Sequence, residues 1–160
     1  MRTIFAPEKL EFSENDVTVF LAGTIDLGNS VDWQSNLTET LKNIPNLVLL
    51  NPRRKDFDKN AKQTKDDPYF RGQVECELQA LEMCDIIYMY LLPDSKSPIS
   101  LLELGIYTQS DKLMVCCPEG FYRKGNVDIV CDRYDIPMFE TEEEAIVSLM
   151  ERIEEKSQER

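Results

Sequence analysis

Apolar residues follow two rhythms along this chain. Four short runs are apolar almost throughout: Val17-Thr-Val-Phe-Leu-Ala22, Asn46-Leu-Val-Leu-Leu50, Asp85-Ile-Ile-Tyr-Met-Tyr-Leu-Leu92 and Lys112-Leu-Met-Val-Cys-Cys117. Each is too short for a helix, and the first two close on Gly23 and on Asn51-Pro52, so they read as buried strands. Between them the period lengthens. Helix signals at Asn29-Ser30 precede Trp33, Leu37, Leu41 and Ile44, which share one helical face. Asp67-Pro68 offers a cap and a first-turn proline for a helix reaching about Met83. A further helix carries Glu103, Tyr122 to Tyr134 predicts a short one, and Ile136 to Phe139 a short last strand. Thr141-Glu-Glu-Glu144 is a capping box opening a final helix with Ile146, Leu149, Met150 and Ile153 inward, fraying past about Glu155. Arg53 to Asp67 has no apolar period and reads as a long loop.

Apolar strands alternating with helices belong to a parallel sheet covered on both faces. The chain therefore reads as α/β: a doubly wound, parallel, five-stranded sheet with helices on both faces. It forms one domain over residues 1–160, with its core over about 17–155. In such sheets ligands bind beyond the carboxyl ends of strands, where strand order reverses. Gly23-Thr24, Asn51 to Arg53 and Pro93 to Glu103 all follow strand ends, which predicts that they converge on one crevice.

Glu103 sits in Ser97-Pro-Ile-Ser-Leu-Leu-Glu-Leu-Gly105. Leu101, Leu102, Leu104 and Ile106 leave that turn no plainly solvent-directed face, so Glu103 is expected to be at least partly buried. Burial raises a carboxyl pKa and a helix N-terminus lowers it, and such opposed shifts suit a nucleophile or an acid–base group. The alternative is structural: Ser100-x-x-Glu103 fits a capping box, in which the glutamate only satisfies the amide of its own cap residue. On the preceding helix, ~100° per residue puts Phe70, Val74, Leu78 and Leu81 on a buried stripe. Gln73 and Glu77 then lie at its edge and Glu75 opposite. Glu75 reads as a solvated charge. Glu77 reads either as a carboxylate tucked under the sheet end or as a surface residue paired with a nearby lysine.

Composition narrows the chemistry. The net charge of −12 repels a long phosphate backbone, so no nucleic-acid polymer is expected as a partner. The chain has no histidine, which removes Ser-His-Asp and Cys-His chemistry and argues against zinc. Acid–base work falls to carboxylates, tyrosines or lysines. The five cysteines (76, 84, 116, 117, 131) form no CxxC pair, and an odd number cannot all pair within the chain; buried free thiols and a reducing cytoplasm fit best. No run approaches a membrane span, and the first residues lack the apolar stretch of a secretory signal, so no membrane partner is expected.

Five pieces occur in order: Phe20-Leu-Ala-Gly-Thr24, Asn51-Pro-Arg-Arg54, Gln73-Val-Glu-Cys-Glu-Leu78, Cys84-Asp-Ile-Ile87 and Ser97-Pro-Ile-Ser-Leu-Leu-Glu-Leu-Gly105. Together they resemble the nucleoside 2-deoxyribosyltransferase-like family over roughly residues 17–135. The resemblance implies a flavodoxin-like sheet that cleaves or transfers N-glycosidic bonds of deoxynucleosides or their 5′-monophosphates. The glutamate of the Glu-Leu-Gly motif, here Glu103, would attack the anomeric carbon. A second acid eight positions before Asp85 would assist, which lands on Glu77, where the family more often has aspartate. Two carboxyls on the order of 5–5.5 Å apart follow the logic of retaining glycosidases, and neither a metal nor a redox cofactor is called for.

Six positions before the glutamate, free-nucleoside transferases tend to carry an aspartate. Ser97 is closer to the nucleotide hydrolases of the family, whose serines cradle the phosphate. Asp26 stands where those hydrolases offer a basic residue, and would repel a phosphate unless Arg53 or Arg54 compensates; the two clues leave the phosphorylation state open. Gly23 and Thr24 are substrate-binding candidates beside the plainer reading of a turn. Arg53 either touches ligand or orders its loop through a carboxylate, Trp33 is core or lines the base pocket, and Asp85 is structural. Asn126 is a candidate because, in relatives, a polar residue from a neighbouring subunit completes the site, which also implies a homo-oligomer, a dimer or higher. The rival to an enzyme is a binding protein that holds a nucleotide or nucleotide signal in the same pocket without turnover.

Overall fold

The computed structural model describes residues 1–26, 30–54, 58 and 60–160. In chain order the elements are β1 (Arg2–Phe5), β2 (Val17–Gly23), α1 (Trp33–Leu41), β3 (Leu47–Asn51), α2 (Pro68–Met83) and β4 (Ile86–Tyr90). They continue with α3 (Pro98–Tyr107), β5 (Leu113–Cys116), α4 (Lys124–Arg133), β6 (Met138–Phe139) and α5 (Glu142–Gln158). The four apolar runs are the four central strands, and every residue in them but Gly23 is buried. Their order is β1-β3-β2-β4-β5-β6, with every pairing parallel. Setting β1 aside, this is the flavodoxin-like order, and its direction reverses between β2 and β4.

The sheet has six strands where the sequence predicts five. The sixth is β1, paired with β3 from Arg2 opposite Val48 to Phe5 opposite Asn51. It covers an edge, so only Ile4 of its four residues is buried. An edge strand with one buried residue has no continuous apolar run to betray it.

Side chains alternate across the sheet with the two-residue period of a strand. Phe20, Ala22, Val48, Leu50, Ile87 and Met89 pack against Ala80 and Leu81 of α2, Leu104 of α3, and Val127 and Cys131 of α4. The opposite face carries Val19, Leu21, Leu49, Tyr88 and Met114 against Trp33, Leu37 and Leu41 of α1 and Ala145, Leu149 and Ile153 of α5. The helices bearing Glu77 and Glu103 therefore cover the same face.

Local chemistry sets the helix ends. Helix α1 starts at Trp33, because the Asp32 side chain caps it by accepting from the Ser35 amide at 3.1 Å; of the expected onset, Asn29 lies outside the described residues. Asp67 caps α2 through the Phe70 amide at 2.9 Å, with Pro68 in the first turn, as the sequence predicts. The buried face of α2 is rotated, however: Gln73, Ala80 and Leu81 face in, while Phe70, Val74 and Leu78 are only half-buried. Helix α5 continues to Gln158 instead of fraying at Glu155. Beyond it Arg160 binds Asp85 at 2.6 Å and the Glu14 carbonyl at 3.2 Å, which ties the terminus down. Ala145 takes the inward place expected of Met150, which is exposed. No helix among the described residues is long and apolar enough to cross a membrane.

Candidate functional site

At the point where strand order reverses, β2 ends on Gly23 with φ +128°. A Cβ there would press on the Tyr90 carbonyl oxygen and lie 2.8 Å from its carbon, so β2 and β4 approach only because this residue is glycine. That approach lets the Thr24 amide donate to the Tyr90 carbonyl at 2.9 Å. Trp33 fixes the same residue from the other side, its Nε1 donating to the Thr24 carbonyl at 2.9 Å. The Thr24 hydroxyl, thus placed, accepts from the Leu92 amide at 3.0 Å. It also lies 2.9 Å from the Ser95 hydroxyl and 2.7 Å from that of Ser97, with the two serines 3.1 Å apart. Ser95 donates to the Leu92 carbonyl at 2.8 Å, leaving Thr24 and Ser97 to supply the other two hydrogens of this buried cluster.

Ser97 also opens α3. It stands at φ 42° with no side-chain cap bond, and Pro98 follows as the first helical residue. The capping-box reading of Ser100 and Glu103 is thereby corrected: Ser100 lies inside the first turn and Glu103 beyond it, so neither caps the helix. Ser97, Ser100 and Glu103 are spaced three apart, and all three are buried. Neither the Ser100 hydroxyl nor the Glu103 carboxyl has a hydrogen-bond partner among the described residues. The face of α3 that reaches solvent is apolar, with Ile99, Leu102 and Ile106 exposed; Leu102 and Ile106 thus point outward, contrary to the expectation that the leucines and isoleucine around Glu103 leave no outward face.

Glu103 is 9 % exposed, and its carboxyl is pushed up to about 8, first by burial and then by the charge of Glu77. Glu77 reaches it from α2 on the same face and lies beside Asn51 and Pro52 at the end of β3. Burial raises the Glu77 carboxyl to about 7, opposed by a hydrogen bond from Gln73 and by the charge of Arg54. No lysine pairs with Glu77 among the described residues. Gln73, expected at the edge of the helix stripe, is buried: its Nε2 donates to Glu77 and, at 3.4 Å, to the Pro52 carbonyl, while its Oε1 accepts from Arg54 Nη1 at 3.1 Å. The arrangement is a pair of coupled carboxyls beside a hydroxyl cluster and a helix N-terminus. Near neutrality such a pair shares one proton.

The other candidates fall into place around it. Arg53 orders the segment before α1: Nη1 donates to Ser30 Oγ and the Val31 carbonyl, Nη2 to the Ser30 carbonyl, and Nε pairs with Asp32 at 3.7 Å. Trp33 is core, packed on Tyr88 and Tyr90. Glu75 is exposed and pairs with Arg71. Asp85 holds the amide and hydroxyl of Thr18 at 2.8 Å at the start of β4, away from the crevice. Asn126 is exposed on the first turn of α4, and among the described residues the hydroxyls of Thr24 and Ser97 have other partners. Sequence reasoning passed over Ser95, took Ser100 only as a cap and Gln73 only as an edge residue of α2, and named Arg54 only as a charge that could offset Asp26. Spacing carried a signal only for Ser100, three before Glu103, and for Gln73, four before Glu77.

A separate cleft of about 370 Å³ lies at the opposite edge of the sheet, against Tyr107, Asp111, Tyr134, Asp135 and Arg152. There the Arg152 guanidinium is taken up by the carbonyls of Leu113 and Asp111, and the remaining charges are acidic.

The family model described as "Nucleoside 2-deoxyribosyltransferase like" matches residues 16–121, from the start of β2 to Phe121. That span contains Gly23, Thr24, Arg53, Glu77, Ser97 and Glu103 and excludes Asn126. Among curated proteins none matches the sequence. Among solved structures, the crystal structure of a conserved protein from Enterococcus faecalis V583 is similar, with a TM-score of 0.61 at 12% identity. The match covers 86% of this chain and 99% of that one, a likeness of fold.

Proposed function

The chain belongs to the nucleoside 2-deoxyribosyltransferase-like family, and from that premise we propose that it cleaves or transfers the N-glycosidic bond of a 2′-deoxynucleoside or its 5′-monophosphate. The observation that carries this reading is a pair of raised carboxyls, half-buried Glu77 and buried Glu103, on neighbouring helices over one face of the sheet. Glu103 acts as nucleophile: one of its oxygens bonds to the anomeric carbon as the bond to the base breaks, and the electron pair leaves with the base. Glu77 gives its proton to the departing base. Water or an acceptor base then attacks the same carbon, Glu103 departs as a carboxylate, and the incoming group's proton returns to Glu77.

The substrate's polar end belongs with the hydroxyls of Thr24, Ser95, Ser97 and Ser100 and the first-turn amides of α3, which have no helical acceptors. This setting favours an anionic substituent, hence the 5′-monophosphate. Arg53 does not offset Asp26, since its guanidinium is engaged with residues 30–34. Lys96, between the two serines, is the nearer cation in sequence. The exposed apolar strip Ile99, Leu102 and Ile106 lies on the helix that carries Glu103 and suits docking of a second copy, the route by which Asn126 of one copy would reach the site of another.

A specific observation favours a second reading. Both carboxyls are raised well above the ordinary range, so the state with Glu103 ionised and Glu77 protonated competes with its reverse and with the doubly protonated pair. A protein that binds a nucleotide without turning it over has no need of the ionised form. Chromatography of free base released from deoxynucleosides and their 5′-monophosphates, with and without an acceptor base, separates the two. Release that disappears in Glu103→Gln supports the enzyme; saturable binding with no release from any substrate overturns it in favour of the binding protein.

A further inference from the structure

Gln73 touches both the loop that leaves β3 and the carboxyl of Glu77 one turn along α2. It is 6 % exposed, and both ends of its amide are engaged. The assignment of those ends is forced by their partners. Arg54 offers only donors, so Oε1 must face it, and Nε2 must then face the Glu77 carboxyl and the Pro52 carbonyl. Arg54 is itself held, its guanidinium 4.6 Å over the Tyr69 ring. The contacts run without a gap from Tyr69 through Arg54 and Gln73 to Glu77.

We propose that Gln73, oriented by Arg54, is a positioning residue for Glu77: it aims that carboxyl and stabilises its anion, and so decides how the proton is divided between Glu77 and Glu103. The inference rests on the reading that these two carboxyls act as a pair. An N–H donor aimed at a carboxylate favours the charged form, and a cation at one remove adds to it. Among the described residues no such donor reaches Glu103. The groups that face Glu77 are Arg54 from the β3–α2 loop, Cys76 beside it on α2 and Glu103 from α3. Tyr107 faces Glu103 from one turn further along α3. The Gln73 donor and the Arg54 charge behind it therefore act on Glu77 and not on Glu103. A residue that merely filled a polar corner would leave the division of the proton unchanged.

The test is a carbon-13 carboxyl NMR titration of Glu77 in the wild type, Gln73→Met and Arg54→Gln, with the pH profile of base release measured alongside. Methionine keeps the length of the side chain and removes all three hydrogen bonds of the amide. Gln73→Met is expected to raise the Glu77 midpoint above about 7, while the loss of the carboxyl's aim lowers kcat and leaves KM within about twofold. Arg54→Gln is expected to raise the same midpoint by less, because the Gln73 donor remains. A Glu77 midpoint unchanged in folded Gln73→Met overturns the inference. Should that variant not fold, an unchanged midpoint in Arg54→Gln overturns it instead. The NMR readout needs no turnover, so a wild type that releases no base refutes the proposed reaction while a shifted Glu77 midpoint still supports the positioning role.

Discussion

Replacing Glu103 by glutamine changes one buried carboxyl to a neutral group of the same shape, and its effect on stability is expected to depend on pH in a defined direction. In the folded protein the Glu103 carboxyl is raised from 4.5 to about 8; in the unfolded chain it returns to the ordinary value. A carboxyl with a raised folded pKa contributes its stability in full below the unfolded value and loses it as pH rises to the folded value. Within that window the native state holds a proton that the unfolded state has released, and each pH unit lowers stability by ~1.4 kcal/mol. The full span sets a ceiling of ~5 kcal/mol, and water entry and side-chain relaxation bring the expected loss to about 2–4 kcal/mol. Glutamine has no charge to bury. Urea unfolding of wild type and Glu103→Gln should therefore agree to within about 1 kcal/mol at pH 5, while at pH 9 the variant should be the more stable by about 2–4 kcal/mol. A difference that is the same at both pH values, or a variant less stable than wild type at pH 9, would refute the burial of an unpaired carboxyl at this position.

Three other outcomes follow from the same geometry. Glu77→Gln removes the charge that helps raise Glu103, so the Glu103 midpoint, read by carboxyl NMR, should fall below about 8 yet stay above 4.5, because burial is the larger cause; an unmoved midpoint means the two carboxyls are not coupled. Gly23→Ala forces a side chain into positive φ and onto the Tyr90 carbonyl, at a cost of about 3 kcal/mol or more; a melting temperature within a degree or two of wild type would show that β2 and β4 can part there without loss. Leu102→Glu puts a charge on the exposed apolar strip of α3, and light scattering should show an oligomeric wild type reduced to monomer. A monomeric wild type, or an oligomer unaffected by the substitution, would count against that face as the contact between copies.

The sequence was most legible where burial is complete. The four central strands are apolar almost throughout because both of their faces are covered, and the caps at Asp67 and Thr141 are local signals that tertiary structure did not override. Legibility faded where burial is one-sided. Strand β1 has a single buried residue, and α2 turns Gln73 inward because polar partners at the end of β3, invisible to an apolar wheel, satisfy its amide. The carboxyl pair was findable because each of the two glutamates sits at a meaningful position on its helix. Ser95 was not: it matters through Thr24, 71 residues away in sequence, and nothing local announces that contact. Arg53 shows the reverse case. Its place after a strand marked it for the site, yet the structure engages it in holding the segment before α1.

The most direct test of a glutamyl nucleophile is to trap it. Incubation with 2-fluoro-2-deoxyribosyl nucleosides and their 5′-monophosphates slows release of the intermediate, and mass spectrometry of the digested protein then locates the sugar. The account predicts one added fluorodeoxyribosyl group, or its 5-phosphate, on the peptide containing Glu103, with none in Glu103→Gln. A label on another residue, or base released with no covalent adduct under conditions that trap a retaining enzyme, would contradict it.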